Sequence, residues 1–202
     1  MSPLQMVDLA LRAVITVWLV AISVRDARHG IILNRMTGPI FLGVGLFQIV
    51  YAATVLRTTP ALPGEGPWWV RPIFVVVGFA VCFGLWMLHF IGGGDAKFLM
   101  ALLALFPHSE FVLLMAVVLL VVTTALFVWD VAKTGLRTKL RNLRNRALTG
   151  ALLPTEAELA AHGKPLAWTY ALPAAIYVWP YWSGLAPYQE HIRMFLAAQG
   201  RG

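Results

Sequence analysis

Long apolar stretches dominate this sequence and restrict the kind of fold it can form. Five runs of about twenty residues carry few charges, and they cover 6–25, 37–56, about 70–91, 111–131 and about 166–186. A helix rises ~1.5 Å per residue, so each run is long enough to cross a ~30 Å hydrocarbon core. Hydrophobic residues make up 59% of the chain and charged residues 12%, which is typical of a membrane protein. We therefore expect an all-α polytopic membrane protein.

A sixth, shorter apolar run decides the predicted topology. Residues 96–106 would cover only ~16 Å as a helix. If this run crosses the membrane, 11 of the 16 Lys and Arg residues fall on one side and 5 on the other. That asymmetry fits the positive-inside rule. The sequence therefore predicts six transmembrane helices, the fourth of them short, with both termini outside.

A basic segment follows the fifth run. Leucine and alanine recur there at three- and four-residue spacing, which predicts a cytoplasmic amphipathic helix over 136–151, followed by a polar loop to 165. Its basic face would lie on the anionic inner leaflet. No nucleic-acid-binding signature accompanies the net charge of +7, so we expect lipid rather than nucleic acid as the charged partner. We treat residues 1–202 as a single membrane domain.

Three glycines and an acid interrupt the apolar pattern between the third and fourth runs. Glycine disfavours helix by ~1 kcal/mol relative to alanine, so Gly92, Gly93 and Gly94 predict a break, with the next helix beginning at Asp95. Broken backbone at membrane depth is tolerated only where it faces protein or water. We expect Asp95 to face an internal cavity and the glycines to admit an extended substrate strand. Close helix packing is the alternative explanation for the glycines.

A second acid, Asp26, closes the first apolar run. Two carboxylates held close together share a proton, so one can activate a water while the other protonates a carbonyl. Asp26 and Asp95 therefore suit acid–base hydrolysis of an amide. The alternative for Asp26 is ion pairing at the interface with Arg25 and Arg28, which flank it.

Three other polar residues, Asp130, His29 and His89, could in principle contribute to the site. Asp130 precedes Lys133 by three residues, which favours a surface pair. His29 and His89 are close in sequence to the two acids, but no His-Glu-x-x-His spacing supports a metallohydrolase, so we expect interfacial histidines. The roles of these three residues stay open. We expect neither a metal nor another cofactor.

The two acidic motifs resemble those of the type IV prepilin peptidases, which are GxGD membrane aspartyl proteases. Gly92, Gly94 and Asp95 match the GxGD pattern, and Lys97 matches a lysine often found two residues after the acid. Asp26 is similar to the first aspartate of that family.

Residues after Asp26 carry the rest of the resemblance. The family usually has Ile-Pro-Asn in this region, and the chain has Ile32, Leu33 and Asn34, so leucine replaces the proline. The chain has no cysteine-rich insert, because Cys82 is its single cysteine. It therefore looks like the short, peptidase-only form associated with tight-adherence (Flp) pili.

This resemblance implies a reaction and a set of roles. Asp26 and Asp95 would be catalytic, a substrate strand would approach the backbone of 92–94, and Lys97 and Asn34 would support the site. The substrate would be a prepilin whose short basic leader is cut at the cytoplasmic face of the bacterial inner membrane. The pilus assembly machinery would be a further partner.

Two other classes of function fit the same sequence. A proton- or metal-coupled transporter would also place acids and histidines at broken helices, although it would usually show an internal repeat. A non-catalytic assembly component of a pilus or secretion system would keep the helices without needing both acids.

Overall fold

The computed structural model describes residues 3–62, 65–88, 91–135 and 167–200, together with 137, 141, 144 and 148. In this part of the chain there are seven helices and no strand. The helices are α1 (Pro3–His29), α2 (Asn34–Leu56), α3 (Val70–Met87), α4 (Gly93–Leu105), α5 (Ser109–Thr134), α6 (Ala167–Val178) and α7 (Ala186–Gln199). The predicted all-helical class is confirmed.

Four of these helices, α1, α2, α3 and α5, are long and apolar enough to cross a membrane. The shorter α4 and α6 do not reach that length, so the count of six spans stays a prediction. Apart from the four isolated positions, the predicted amphipathic helix over 136–151 and the loop to 165 lie outside the described residues.

Helix α4 is the centre of the bundle. It packs against α3, against the first half of α2 and against α6, and much of it is buried: Ala96, Phe98, Leu99, Ala101, Leu102, Leu103 and Ala104. Gly78 of α3 permits a close approach, because a Cβ there would lie 2.9 Å from Leu103 Cδ1. Protein therefore covers most of α4. The helix forms the core of the bundle although it has only 13 residues.

Helix α2 contains two π-helical stretches, Ile40–Val44 and Ala52–Leu56. Pro39 immediately precedes the first of them and has no backbone N–H to donate to the preceding turn. A local change to π geometry at such a point keeps the helix continuous. The Ile40–Val44 stretch packs one side against α4, while Leu42 on its other side is exposed.

The last apolar run differs from its prediction. We expected a span over 166–186, but α6 ends at Val178. Pro180 has no N–H to continue the helical pattern, and the side chain of Arg12 donates hydrogen bonds to the carbonyls of Val178, Trp179 (3.2 Å) and Trp182 (2.6 Å). These carbonyls are therefore satisfied by α1 rather than by a further helical turn.

The same contact region, which we call the Arg12 clamp, includes the turn after α6. Asp8 pairs with Arg12 (2.8 Å) and accepts a hydrogen bond from the Leu185 N–H (3.0 Å). Gly184 has a φ of +65°, and a Cβ there would lie 1.8 Å from Asp8 Oδ1. Only glycine fits this turn, so the clamp fixes the C-terminal end of α6 to the N-terminal half of α1.

The residues after the turn form α7, which includes most of the tail from Pro187 onward that we expect to lie outside. His191 of α7 is buried and lies 2.5 Å from a carboxylate oxygen of Glu65 and 3.1 Å from the Thr59 hydroxyl. Glu65 also pairs with Arg71 at 2.7 Å. This polar network, centred on the buried His191, holds α7 against the connection between α2 and α3.

Candidate active site

Asp26 lies on the buried face of α1. It is 6% exposed and shares this face with Ile15, Leu19 and Ile22. The helix continues beyond the predicted boundary at residue 25, and it ends at Gly30, whose φ is +62° and whose N–H donates to the Asp26 carbonyl (2.7 Å). Asp26 is therefore part of the bundle interior.

The carboxylate of Asp26 has a backbone partner from a distant helix. Its Oδ2 accepts a hydrogen bond from the N–H of Ala167, at the start of α6, with a distance of 3.0 Å. The first N–H groups of a helix have no partner within the helix, so a carboxylate there satisfies one of them. Among the described residues, neither Arg25 nor Arg28 forms an ion pair with Asp26. The interfacial ion pairing that was the alternative for this acid is therefore not what the structure contains.

The glycine-rich turn differs in one respect from its prediction. Helix α4 begins at Gly93, with the extended Gly92 as its N-cap, rather than at Asp95. Asp95 is instead the third helical residue, where a carboxylate interacts favourably with the positive end of the helix dipole. Its Oδ2 folds back to 3.3 Å from the position that a Cβ would take on Gly92.

Neighbouring side chains closely cover the other two glycines. A Cβ on Gly93 would lie 3.1 Å from Trp86 Nε1, and a Cβ on Gly94 would lie 3.3 Å from Ile32 Cβ. Close packing therefore accounts for Gly93 and Gly94. The approach of a substrate strand to this turn stays a prediction.

The region after Asp26 and the region after Asp95 meet in space. Lys97 Nζ donates a hydrogen bond to Asn34 Oδ1 (2.7 Å), and the buried Ile32 packs on Gly94. These contacts bring the end of α1 and the start of α4 to the same end of the bundle. The carboxyl of Asp95 is close enough to that of Asp26 for their two charges to interact.

Tyr170 belongs to this region although the sequence pattern assigns it no role. It is buried in α6, three residues after Ala167, and is within electrostatic range of both Asp95 and Asp26. No spacing in the sequence links Tyr170 to either acid, because the link arises from the packing of α6 against α1 and α4.

Of the three residues with open roles, one is exposed and two lie wholly or partly outside the described residues. In the described part of the chain, no group of three or more His, Cys, Asp or Glu side chains could hold a metal ion. His29 is exposed at the end of α1. His89 and the side chain of Asp130 lie outside the described residues.

Comparison with known proteins gives one finding. Neither the curated proteins nor the solved structures contain a match. The family model described as the type IV leader peptidase family matches residues 13–129, a range that includes both Asp26 and Asp95. This range is more than half of the chain, and the chain therefore belongs to the type IV leader peptidase family.

Proposed function

We propose that this chain is an aspartic endopeptidase that removes the short basic leader of Flp-like prepilins. Membership of the leader peptidase family supports a membrane peptidase whose substrate is a prepilin. One observation supports the two-aspartate mechanism: the Lys97–Asn34 hydrogen bond and the packing of Ile32 on Gly94 bring the segments that carry Asp26 and Asp95 to one end of the bundle.

In this mechanism the two carboxyls divide the proton transfers. The Ala167 N–H holds Oδ2 of Asp26, which leaves Oδ1 to orient the hydrolytic water. As the water oxygen attacks the scissile carbonyl, one aspartate takes its proton and the other donates a proton to the carbonyl oxygen. The C–N bond then breaks as the amine nitrogen takes a proton, and one water is consumed for each bond cut.

The distribution of charge supports a cytoplasmic site in the bacterial inner membrane. Four basic side chains belong to the segments that form the site end of the bundle: Arg25, Arg28, Arg35 and Lys97. Positive charges of this kind favour the cytoplasmic side. A prepilin would present its leader on that side while its hydrophobic helix stays in the lipid.

Co-expression of the full chain with an Flp-like prepilin tests this function. We expect the wild type to shorten the prepilin by its leader, which mass spectrometry detects, with no loss of rate in the presence of a chelator. Turnover that stops with chelator would favour a metal-dependent reaction. An intact leader beside inserted wild-type protein would contradict the peptidase and favour the transporter or the assembly component.

A substitution at the glycine-rich turn should separate site geometry from overall stability. In Gly94→Ala the new Cβ presses on Ile32, so the segment joining Asp26 to α2 must move by a few tenths of an ångström. Because small misplacements of catalytic groups are costly, we expect about a tenfold loss of leader-removal rate. The matched control is Gly84→Ala, whose Cβ would meet nothing within 4 Å. Equal rates in the two variants would contradict this prediction.

A further inference from the structure

The exposed surface of α1 carries a shallow, open groove beside the candidate site, lined by side chains of α1 alone. It has a volume of about 470 Å³, with an apolar floor formed by Val17, Val20, Ala21 and Val24 and a basic end formed by Arg25 and Arg28. These residues form a stripe on the side of α1 that faces away from Ile15, Leu19 and Ile22, which are buried. We propose that this groove binds one phospholipid with an anionic headgroup, its acyl chain along the floor and its phosphate at the two arginines.

The dimensions of the groove fit one leaflet of a bilayer. From Val17 to Arg28 the helix rises ~16 Å, which is about half of a ~30 Å hydrocarbon core. None of the described segments covers the floor, since Val17 is 68% exposed and Val20 is 56% exposed. An acyl chain lying along this stripe would therefore place its phosphate at the depth of the arginines.

The charge at the end of the groove fits a phosphate. Among the described residues, no carboxylate pairs with Arg25 or Arg28, and Arg25 Nε has no hydrogen-bond partner. Asp26 lies between the two arginines in sequence but faces the bundle interior, where it binds the Ala167 N–H. A guanidinium group binds phosphate through charge-assisted hydrogen bonds and can satisfy two oxygens at once.

The same charge disfavours the hydrophobic helix of a prepilin as the occupant. A basic leader joined to that helix would lie beside Arg25 and Arg28, and like charges repel. A lipid phosphate has the complementary charge. The lipid site does not depend on the proposed peptidase activity, and its test uses no cleavage readout, so the two proposals can fail separately.

The test measures lipid binding by the purified full chain in neutral detergent. Phosphatidylglycerol and phosphatidylcholine are titrated separately, with bound lipid detected by native mass spectrometry and stabilisation by the melting temperature. We expect phosphatidylglycerol to bind and to raise the melting temperature, with phosphatidylcholine much weaker. Loss of one arginine should weaken binding about fivefold, and Arg25→Gln with Arg28→Gln should weaken it ~25-fold.

Two further variants separate the groove from general surface charge. Arg35→Gln removes an exposed cation from the first turn of α2, outside the groove, and should bind phosphatidylglycerol as the wild type does. Ala21→Trp fills the floor while keeping both arginines, and should lose the bound lipid.

Three results would overturn the proposal. The first is that the double arginine variant or Ala21→Trp binds phosphatidylglycerol with wild-type affinity. The second is an equal loss in Arg35→Gln, which would indicate non-specific charge. The third is displacement of phosphatidylglycerol by a leader-bearing prepilin, which would assign the groove to the substrate.

Discussion

Replacing either aspartate of the pair with asparagine should lower the rate of leader removal by about a thousandfold or more, without preventing insertion of the protein. An asparagine amide neither accepts nor donates the proton that the reaction moves. In Asp26→Asn the side-chain oxygen can still accept the hydrogen bond from Ala167, so the local fold should survive. In Asp95→Asn the side chain keeps its size in the first turn of α4.

The measurement is the first-order rate at which isolated membranes process prepilin, at matched levels of inserted protein. Glu190→Gln is the control, because it neutralises an acid on α7 that is exposed and pairs only loosely with Arg193 (3.8 Å). It should process prepilin at the wild-type rate. An aspartate variant within tenfold of the wild type would remove that residue from the mechanism.

Arg12→Gln should strongly destabilise the fold. Arg12 joins α1 to the end of α6 and the turn after it through three backbone carbonyls, and it also pairs with Asp8. Its loss leaves partly buried carbonyls unpaired and leaves Asp8 with only the Leu185 N–H. We expect a loss of ~3 kcal/mol or more in the free energy of unfolding. For a chain of this size, that corresponds to a fall of about 6–12 °C in melting temperature.

Thermal melting in detergent provides the test. Arg57→Gln is the matched control, since Arg57 is exposed and stacks over the Trp68 ring (5.8 Å), and it should melt close to the wild type. Arg12→Lys should fall between the two, because an ammonium group cannot reach all the carbonyls that the guanidinium binds. Similar melting of Arg12→Gln and Arg57→Gln would show that the clamp contributes little.

The sequence predicts which two acids matter better than it predicts the helix boundaries around them. Asp26 and Asp95 stand out because a charge next to an apolar run is costly, and that signal is local. Hydropathy likewise marks α1, α2, α3 and α5. The start of α4 is missed by two residues, because glycine propensity predicts a break through Gly94, whereas packing against Trp86 and Ile32 holds two of the glycines in the helix.

The features that the sequence does not reveal depend on contacts between distant segments. In the sequence, Arg12 is one of five cations predicted to lie on the outer side, and only the fold shows that its carbonyl partners come from the end of α6 and the turn after it. Tyr170 likewise lies near the two acids only because α6 packs against α1 and α4. The helical tail is missed because its anchor, His191, binds a loop acid that precedes it by 126 residues.

The hydrogen bond from Ala167 to Asp26 has a consequence for mutational surveys. A main-chain group donates it, so an alanine scan cannot remove the donor without changing Asp26 itself, and position 167 is already alanine. Proline is the one residue that deletes this donor. It is tolerated in the first helical turn, so the contact can be removed there while the rest of the helix remains.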